Sequence, residues 1–346
     1  MTRTVNIGNV CIGGKNPVAV QSMTKTFTHD VKATVKQIIK LQDAGCQIIR
    51  CAVPEEKDAL AISEIKKHIH IPLVADIQFN YRLALVAIDA GADKIRINPG
   101  NIGGAERLKL VVSACKKKGV PIRIGVNSGS LEKDILRKHK HPTADALVES
   151  AVRNIGLLEK LKFRDIVVSI KSTSVPTTID AYQKLSKKVE YPLHVGVTEA
   201  GIGTSGAVRS SVGIGALLSE GVGDTIRVSL TGDPVAEVIV AKEILRSLEL
   251  EKSGAFIISC PTCGRCETDI EKIAKEVEKS TKGLKKPVKI AIMGCAVNGP
   301  GEAADADIGA ACGRGGALIF RKGRIVKKVR ERDIVKELLN EVKNIK

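Results

Sequence analysis

Three runs decide the fold: Pro72-Leu-Val-Ala-Asp-Ile-Gln78, Lys94-Ile-Arg-Ile-Asn98 and Ile122-Arg-Ile-Gly-Val-Asn127. Each is short, rich in Val and Ile, and ends on polar residues. Between them lie Arg82–Ala90 and Ala105–Lys118, whose apolar residues recur at three and four spacing. Short apolar runs of this kind suit strands buried on both faces, as in a parallel sheet covered by helices. The rhythm extends outward in both directions. Pro17–Met23 and Gln47–Val53 precede the three runs, and Ile166–Ser172, Leu193–Thr198 and Thr225–Leu230 follow them. Helices are expected at Thr34–Ala44, Asp58–His68, Thr143–Leu161 and Val235–Leu248, the last announced by an N-cap acid and a proline at Asp233-Pro234. Eight strand runs alternating with helical stretches predict an α/β fold of the (β/α)8 TIM barrel type, whose usual size is about 250 residues.

Past Glu249–Gly254 the pattern changes. Phe256–Ser259, Val288–Met293 and Ala317–Val329 read as strands, Asp269–Thr281 and Glu331–Val342 as helices. The expected organisation is a barrel over residues 1–250 and a smaller α/β or α+β domain over 251–346. The length agrees, because 346 residues exceed the roughly 250–300 over which one core keeps growing. With 43% apolar and 27% charged residues, and no apolar run near the roughly 18 of a membrane span, disorder and membrane insertion are not expected. The first residues lack the apolar run of a secretory signal, and nine cysteines, an odd number, suit thiols or metal ligands in a reducing cytoplasm. The formal charge of +17 attracts anions, but five Phe, three Tyr and no Trp leave few platforms on which bases could stack.

Barrel chemistry sits where strands end. Those ends carry Arg50, Asp76, Arg96, Asn98, Arg123, Asn127, Lys171, Glu199, Arg227 and Ser229. Five cations converging on one mouth would hold a highly charged anion, and guanidinium forks suit phosphate oxygens. The alternative for any one of them is an outward orientation, paired with a helix carboxylate. Gly201-Ile-Gly-Thr-Ser-Gly206 matches a dinucleotide fingerprint, yet Asp224 precedes a strand instead of ending one, so that reading fails in context. A loop offering amides to phosphate, or a tight turn, remains. Cys260-Pro-Thr-Cys263-Gly-Arg-Cys266, followed by Cys295-Ala-Val-Asn-Gly-Pro-Gly-Glu302, can surround one metal centre, for which zinc and an iron–sulfur cluster are both open. Cys11, Cys46, Cys51 and Cys115 are expected to be small hydrophobes, and Cys312 is undecided.

Several phrases carry a resemblance: Pro17-Val-Ala-Val-Gln-Ser-Met23, Ala75-Asp-Ile-Gln-Phe-Asn-Tyr-Arg82, Ile95-Arg-Ile-Asn-Pro-Gly-Asn101, Arg123-Ile-Gly-Val-Asn127, Glu199-Ala-Gly201, Cys260-Pro-Thr-Cys-Gly-Arg265 and Met293-Gly-Cys-Ala-Val-Asn-Gly-Pro-Gly-Glu302. Through nearly the whole chain the sequence resembles the bacterial 4-hydroxy-3-methylbut-2-enyl diphosphate synthases. The resemblance implies a barrel followed by a [4Fe-4S] domain. It also implies two-electron reductive ring opening and dehydroxylation of 2-C-methyl-D-erythritol 2,4-cyclodiphosphate, an isoprenoid precursor step. It makes Cys260, Cys263 and Cys295 the thiolate ligands and Glu302 the fourth, carboxylate ligand. It places Arg50, Arg96, Asn98, Arg123, Asn127, Lys171, Arg227 and Ser229 around the diphosphate, and Glu199 at the substrate's hydroxyl end. Two positions depart from the pattern: Gln78 stands where the family often has His, and Cys266 adds a thiol the motif does not require.

The partners implied are reduced flavodoxin or ferredoxin as electron donor and a second copy of the chain. In that dimer one subunit's cluster would serve the other's barrel, because the short linker leaves the last barrel helix at the end away from the strand tips. Two other classes compete: a nucleic-acid-binding protein with a zinc ribbon at residues 260–295, and a cluster protein that only relays electrons. No nucleic acid and no membrane are expected. Seven of the twelve residues from Arg321 to Arg332 are basic, which reads either as a charged edge strand or as a docking surface for an acidic donor.

Overall fold

The computed structural model describes every residue except 252, 267, 285, 296–300, 302 and 346. Glu302 therefore lies outside the described residues. The chain divides into two compact units, Met1–Leu250 and Glu251–Lys346.

The first unit begins with a hairpin of β1 (Val5–Ile7) and β2 (Val10–Ile12) that sequence reading does not anticipate. The alternating units follow: β3 (Ala19–Met23), α1 (Val31–Asp43), β4 (Ile48–Ala52), α2 (Glu56–Lys66), β5 (Leu73–Asp76), α3 (Tyr81–Asp89), β6 (Lys94–Ile97), α4 (Ala105–Lys118) and β7 (Ile122–Asn127). After β7 come α5 (Lys133–His139), α6 (Ala144–Lys160), β8 (Ile166–Lys171), α7 (Val175–Ser186), β9 (His194–Val195), α8 (Gly203–Ser219), β10 (Thr225–Ile226) and α9 (Pro234–Ser247). The parallel strands run in the order β8-β7-β6-β5-β4-β3-β10-β9, and the parallel bridge Val168–Leu193 joins the two edges into a barrel.

Local chemistry places the boundaries. Asp30, Asn80, Thr143, Ser174 and Asp233 each cap a helix by accepting a backbone N–H, and Pro234 takes the first position of α9. Outward strand residues such as Ile95, Ile97, Ile122 and Ile124 meet the helices in one large aliphatic core. Inside, the barrel floor is apolar: Val5, Ile7 and Ile12 of the hairpin pack on Ala19, Ile48, Val74 and Val167.

Three expectations are corrected. The runs at Leu193–Thr198 and Thr225–Leu230 shorten to two-residue strands. The Gly201–Gly206 segment is not only a loop, since α8 starts at Gly203. A Cβ on Gly206 would come within 2.8 Å of the Gly201 carbonyl, so the glycine permits a close turn. Cys11 is exposed, bonding Asn6 at 3.0 Å, whereas Cys46, Cys51 and Cys115 are buried as expected.

The second unit contains β11 (Ala255–Ser259), α10 (Ile270–Ser280), β12 (Val288–Met293), β13 (Ile308–Gly313), β14 (Gly316–Arg321), β15 (Arg324–Arg330) and α11 (Ile334–Lys343). They form one sheet in sequence order, parallel from β11 to β13 and antiparallel from there to β15. The single strand expected at Ala317–Val329 is a hairpin broken at Lys322-Gly323, where both residues have positive φ. Helices α10 and α11 cover one face, where Cys312 is buried among Ile290, Ile308 and Leu338. The other face carries Ile258, Cys260, Ala291, Met293, Ala311 and Phe320. Among the described residues no helix is long and apolar enough to cross a membrane.

Candidate active site

A cavity of about 190 Å³ opens at the carboxyl ends of the barrel strands. Arg50, Asp76, Arg96, Arg123, Asn127, Lys171, Arg227 and Ser229 of the expected set line it, joined by Gln78, Ser169 and Thr198. Two expected residues stand outside this lining. Asn98 is buried and accepts the Gly100 N–H at 3.1 Å, capping a short turn. Glu199 is exposed, next to Thr198, and holds a left-handed φ of 51°. That conformation costs a residue with a Cβ on the order of 1 kcal/mol, the kind of strain found where position matters more than stability.

The cations are crowded and poorly neutralised. Asp76 takes Arg96 Nη1 at 3.1 Å and lies 3.7 Å from Arg50 Nε. Burial alone would raise the Asp76 carboxyl, but Arg50, Arg96 and Arg123 hold it below the ordinary carboxylate range. Arg50 also rests on Met23, with Nη2 2.8 Å from Sδ, and burial pushes it down to about 10. Arg123 is 1% exposed, and burial followed by repulsion from Arg50 and Arg96 pushes it well down. Lys171 is lowered in the same way by burial, then by Arg227 and Arg123. Donors are left over as well: Arg96 Nε, Arg123 Nε and Nη1, and Arg227 Nε are buried with no protein partner. Buried donors are normally satisfied, so this mouth is arranged for acceptor oxygens brought by a ligand.

Sequence reading missed three supports of this arrangement. Glu237, in the first turn of α9, is 2% exposed and receives the Leu230 N–H at 3.1 Å. It also receives Ser22 Oγ at 3.3 Å and lies 3.5 Å from Arg227 Nη2, so it orients that cation from behind. Two glycines thin the wall. A Cβ on Gly125 would stand 2.2 Å from Arg96 Nε, and one on Gly196 would stand 2.8 Å from Lys171 Nζ. Both long side chains thus lie across bare backbone. The signal was the period-2 alternation of β7, which places Gly125 inward between Arg123 and Asn127.

In the second unit Cys260 and Cys295 follow the neighbouring parallel strands β11 and β12, and the Cys260 N–H bonds the Ile292 carbonyl at 3.0 Å. Thr262, with φ 55°, turns the chain between Cys260 and Cys263. Cys266 packs against the helix-covered cluster: its thiol donates to the Thr268 carbonyl at 3.1 Å, and a Cβ on Gly294 would meet its sulfur at 2.7 Å. Among the described residues, no three His, Cys, Asp or Glu side chains stand close enough to share one metal ion.

The fold and its sites define a (β/α)8 barrel enzyme with a cation-lined mouth, continued by a thiol-bearing α/β unit. The chain belongs to the GcpE family: the family's TIM-barrel domain matches residues 2–242 and its C-terminal domain matches 256–344. It is 60% identical over 345 residues to 4-hydroxy-3-methylbut-2-en-1-yl diphosphate synthase (flavodoxin) of Caldanaerobacter subterraneus, covering 100% of this chain and 97% of that one. It is 59% identical to the protein of the same name from Clostridium tetani, covering 99% of both. Among solved structures, type I 3-dehydroquinate dehydratase from Clostridium difficile aligns with a TM-score of 0.50 at 19% identity, over 72% of this chain and 97% of that one. Dihydropteroate synthase from Stenotrophomonas maltophilia aligns at 0.51 and 14%, over 72% and 98%. These two likenesses concern the barrel fold alone.

Proposed function

We propose that this chain reduces 2-C-methyl-D-erythritol 2,4-cyclodiphosphate to 4-hydroxy-3-methylbut-2-enyl diphosphate, taking up two electrons and two protons and releasing one water. The observation that carries the reading is the set of buried, unpartnered guanidinium donors around a cavity of about 190 Å³, in a chain 60% identical to a synthase of that product. Arg96, Arg123 and Arg227 bind the diphosphate oxygens, Lys171 and Arg50 add charge, and Asn127 and Ser229 complete the polar wall. Remote binding of this kind positions the reacting carbon. Glu199, held at the rim in its strained conformation, contacts the hydroxyl end of the substrate and manages its protons.

A [4Fe-4S] cluster held by Cys260, Cys263, Cys295 and Glu302 would supply electrons one at a time and a Lewis-acidic iron. A carboxylate as fourth ligand leaves that position exchangeable. The engagement of Cys266 with Thr268 and Gly294 favours Glu302 over a fourth thiolate. The donor is reduced flavodoxin, in the cytoplasm, where a chain with nine cysteines, an odd number, is at home.

The two halves of the site come together in a head-to-tail homodimer. Helix α9 starts beside the mouth and runs to the opposite end of the barrel, and only residues 248–254 separate it from β11. Arg123→Met should weaken substrate binding about 10- to 100-fold, as loss of charged hydrogen bonds worth roughly 1.5–3 kcal/mol requires. Mixing inactive Arg123→Met with inactive Cys295→Ser should restore part of the activity through hybrid dimers. Unchanged affinity in Arg123→Met would sink the substrate assignment. No recovery on mixing, with subunit exchange verified, would sink the shared site.

A further inference from the structure

Among the described residues strand β15 pairs only with β14, and it closes the sheet on an open edge. Its two faces differ. Ile319 pairs with Lys327 and Ala317 with Val329, and all four belong to the helix-covered side, where Lys327 is held by Glu337 and Glu341. Side chains alternate along a strand, so Lys328 and Arg330 share the other face, the one that carries Cys260 and Met293. Ile325, opposite Phe320, shares it too, and is 66% exposed. Among the described residues, Lys328 and Arg330 have no carboxylate partner.

The register fixes where this basic edge lies relative to the thiols. Cys260 follows Ser259, which pairs with Ile292. Met293 pairs with Ala311, Ala311 with Leu318, and Leu318 with Lys328. Lys328 is therefore on the thiol row. Arg330 lies one step further toward the loops, opposite Gly316, which pairs with Gly313. The Gly313 carbonyl receives Thr268 Oγ1 at 3.5 Å, from the loop that carries Cys263 and Cys266. At about 4.8 Å per strand, Arg330 stands about 10 Å from Gly313.

We propose that this edge, with Ile325 as its apolar centre and Lys328 and Arg330 as its cations, is the docking surface for the acidic electron donor. The inference rests on the reductase reading and adds the site of electron entry. The cations and the exposed isoleucine match an acidic surface with an apolar centre, and the register sets a bound donor beside the cysteine loop. Steering by opposite charge raises the association rate and is screened by salt.

The test uses the full chain with its cluster reconstituted anaerobically, and the double variant Lys328→Glu/Arg330→Glu. Turnover is driven in parallel by reduced flavodoxin and by reduced methyl viologen. With flavodoxin, kcat/KM should fall about tenfold or more and lose most of its salt dependence, while dye-driven turnover stays at the wild-type rate. Equal loss with both reductants, or no loss with flavodoxin, overturns the proposal. A changed oligomeric state of the variant in sedimentation also overturns it, assigning the edge to a second copy of the chain. Failure of the wild type to turn over with the dye would instead refute the reductase reading itself.

Discussion

At the barrel mouth Arg96 is braced by Asp76 and by bare strand backbone, and Arg123 beside it is buried. In the second unit Cys260, Cys263 and Cys295 are partly or fully exposed and are not gathered around one point. The barrel carries its charges on strands locked by an aliphatic core, and that core can absorb the cost of crowding them. The thiols sit on loops past strand ends, and on the proposed reading a cofactor bound by all of them would draw them together.

The sharpest way to break this contrast is to remove a ligand from the second site. Cys295→Ser should abolish turnover and the visible absorption of the reconstituted protein, yet leave substrate affinity, read by calorimetry, within about twofold, because the cation-lined cavity is built entirely from residues of the first unit. Cys266→Ser should keep both absorption and turnover. A collapse of substrate binding in Cys295→Ser would erase the distinction between the sites.

A finer probe is Gly125→Ala. Its Cβ would stand 2.2 Å from Arg96 Nε and force the guanidinium off the wall. Substrate affinity should fall roughly tenfold, equivalent to about 1.4 kcal/mol, with the melting temperature little changed and the cluster spectrum intact. Wild-type affinity in this variant would show that Arg96 is not held by the bare backbone.

The smallest effect concerns the layer beneath the mouth. Lys94 is fully buried with an unpartnered ammonium, and burial, then Arg123 and Arg50, push it well below the ordinary lysine range. Between that folded value and about 10.4 the unfolded chain binds a proton that the folded chain does not, so stability rises with pH across the window. Lys94→Met should flatten that rise and gain roughly 1–3 kcal/mol at neutral pH by removing an unsatisfied buried donor. Thermal denaturation of both proteins from about pH 6 to about pH 10 checks it; parallel curves would count against it.

The barrel was legible because its strands are β-branched and its helices capped. Strand β13, Ile-Gly-Ala-Ala-Cys-Gly, lacks that signal: a Cβ on Gly309 would collide with the Phe320 ring at 2.1 Å, so small residues are imposed by packing that a sequence pattern does not reveal. Helix α8 hides for a similar reason. Its glycines lower helix propensity, yet Gly213 has to be small because a Cβ would reach Val197 at 2.6 Å. At the site, the strand-end rule found the cations but could not tell that the Asn98 side-chain carbonyl caps Gly100. Glu237 escaped because a carboxylate in a helix's first turn reads as a dipole partner, and only the closed barrel brings it against Arg227.

The hairpin β1–β2, whose Val5, Ile7 and Ile12 stopper the barrel floor, turns the interior into a blind well. Substrate and product then share one doorway. Each spent molecule has to clear the arginines before the next can enter, so the product should compete with the substrate for the same oxygen-hungry donors, and the tempo of the enzyme at high product is set by how fast the well empties.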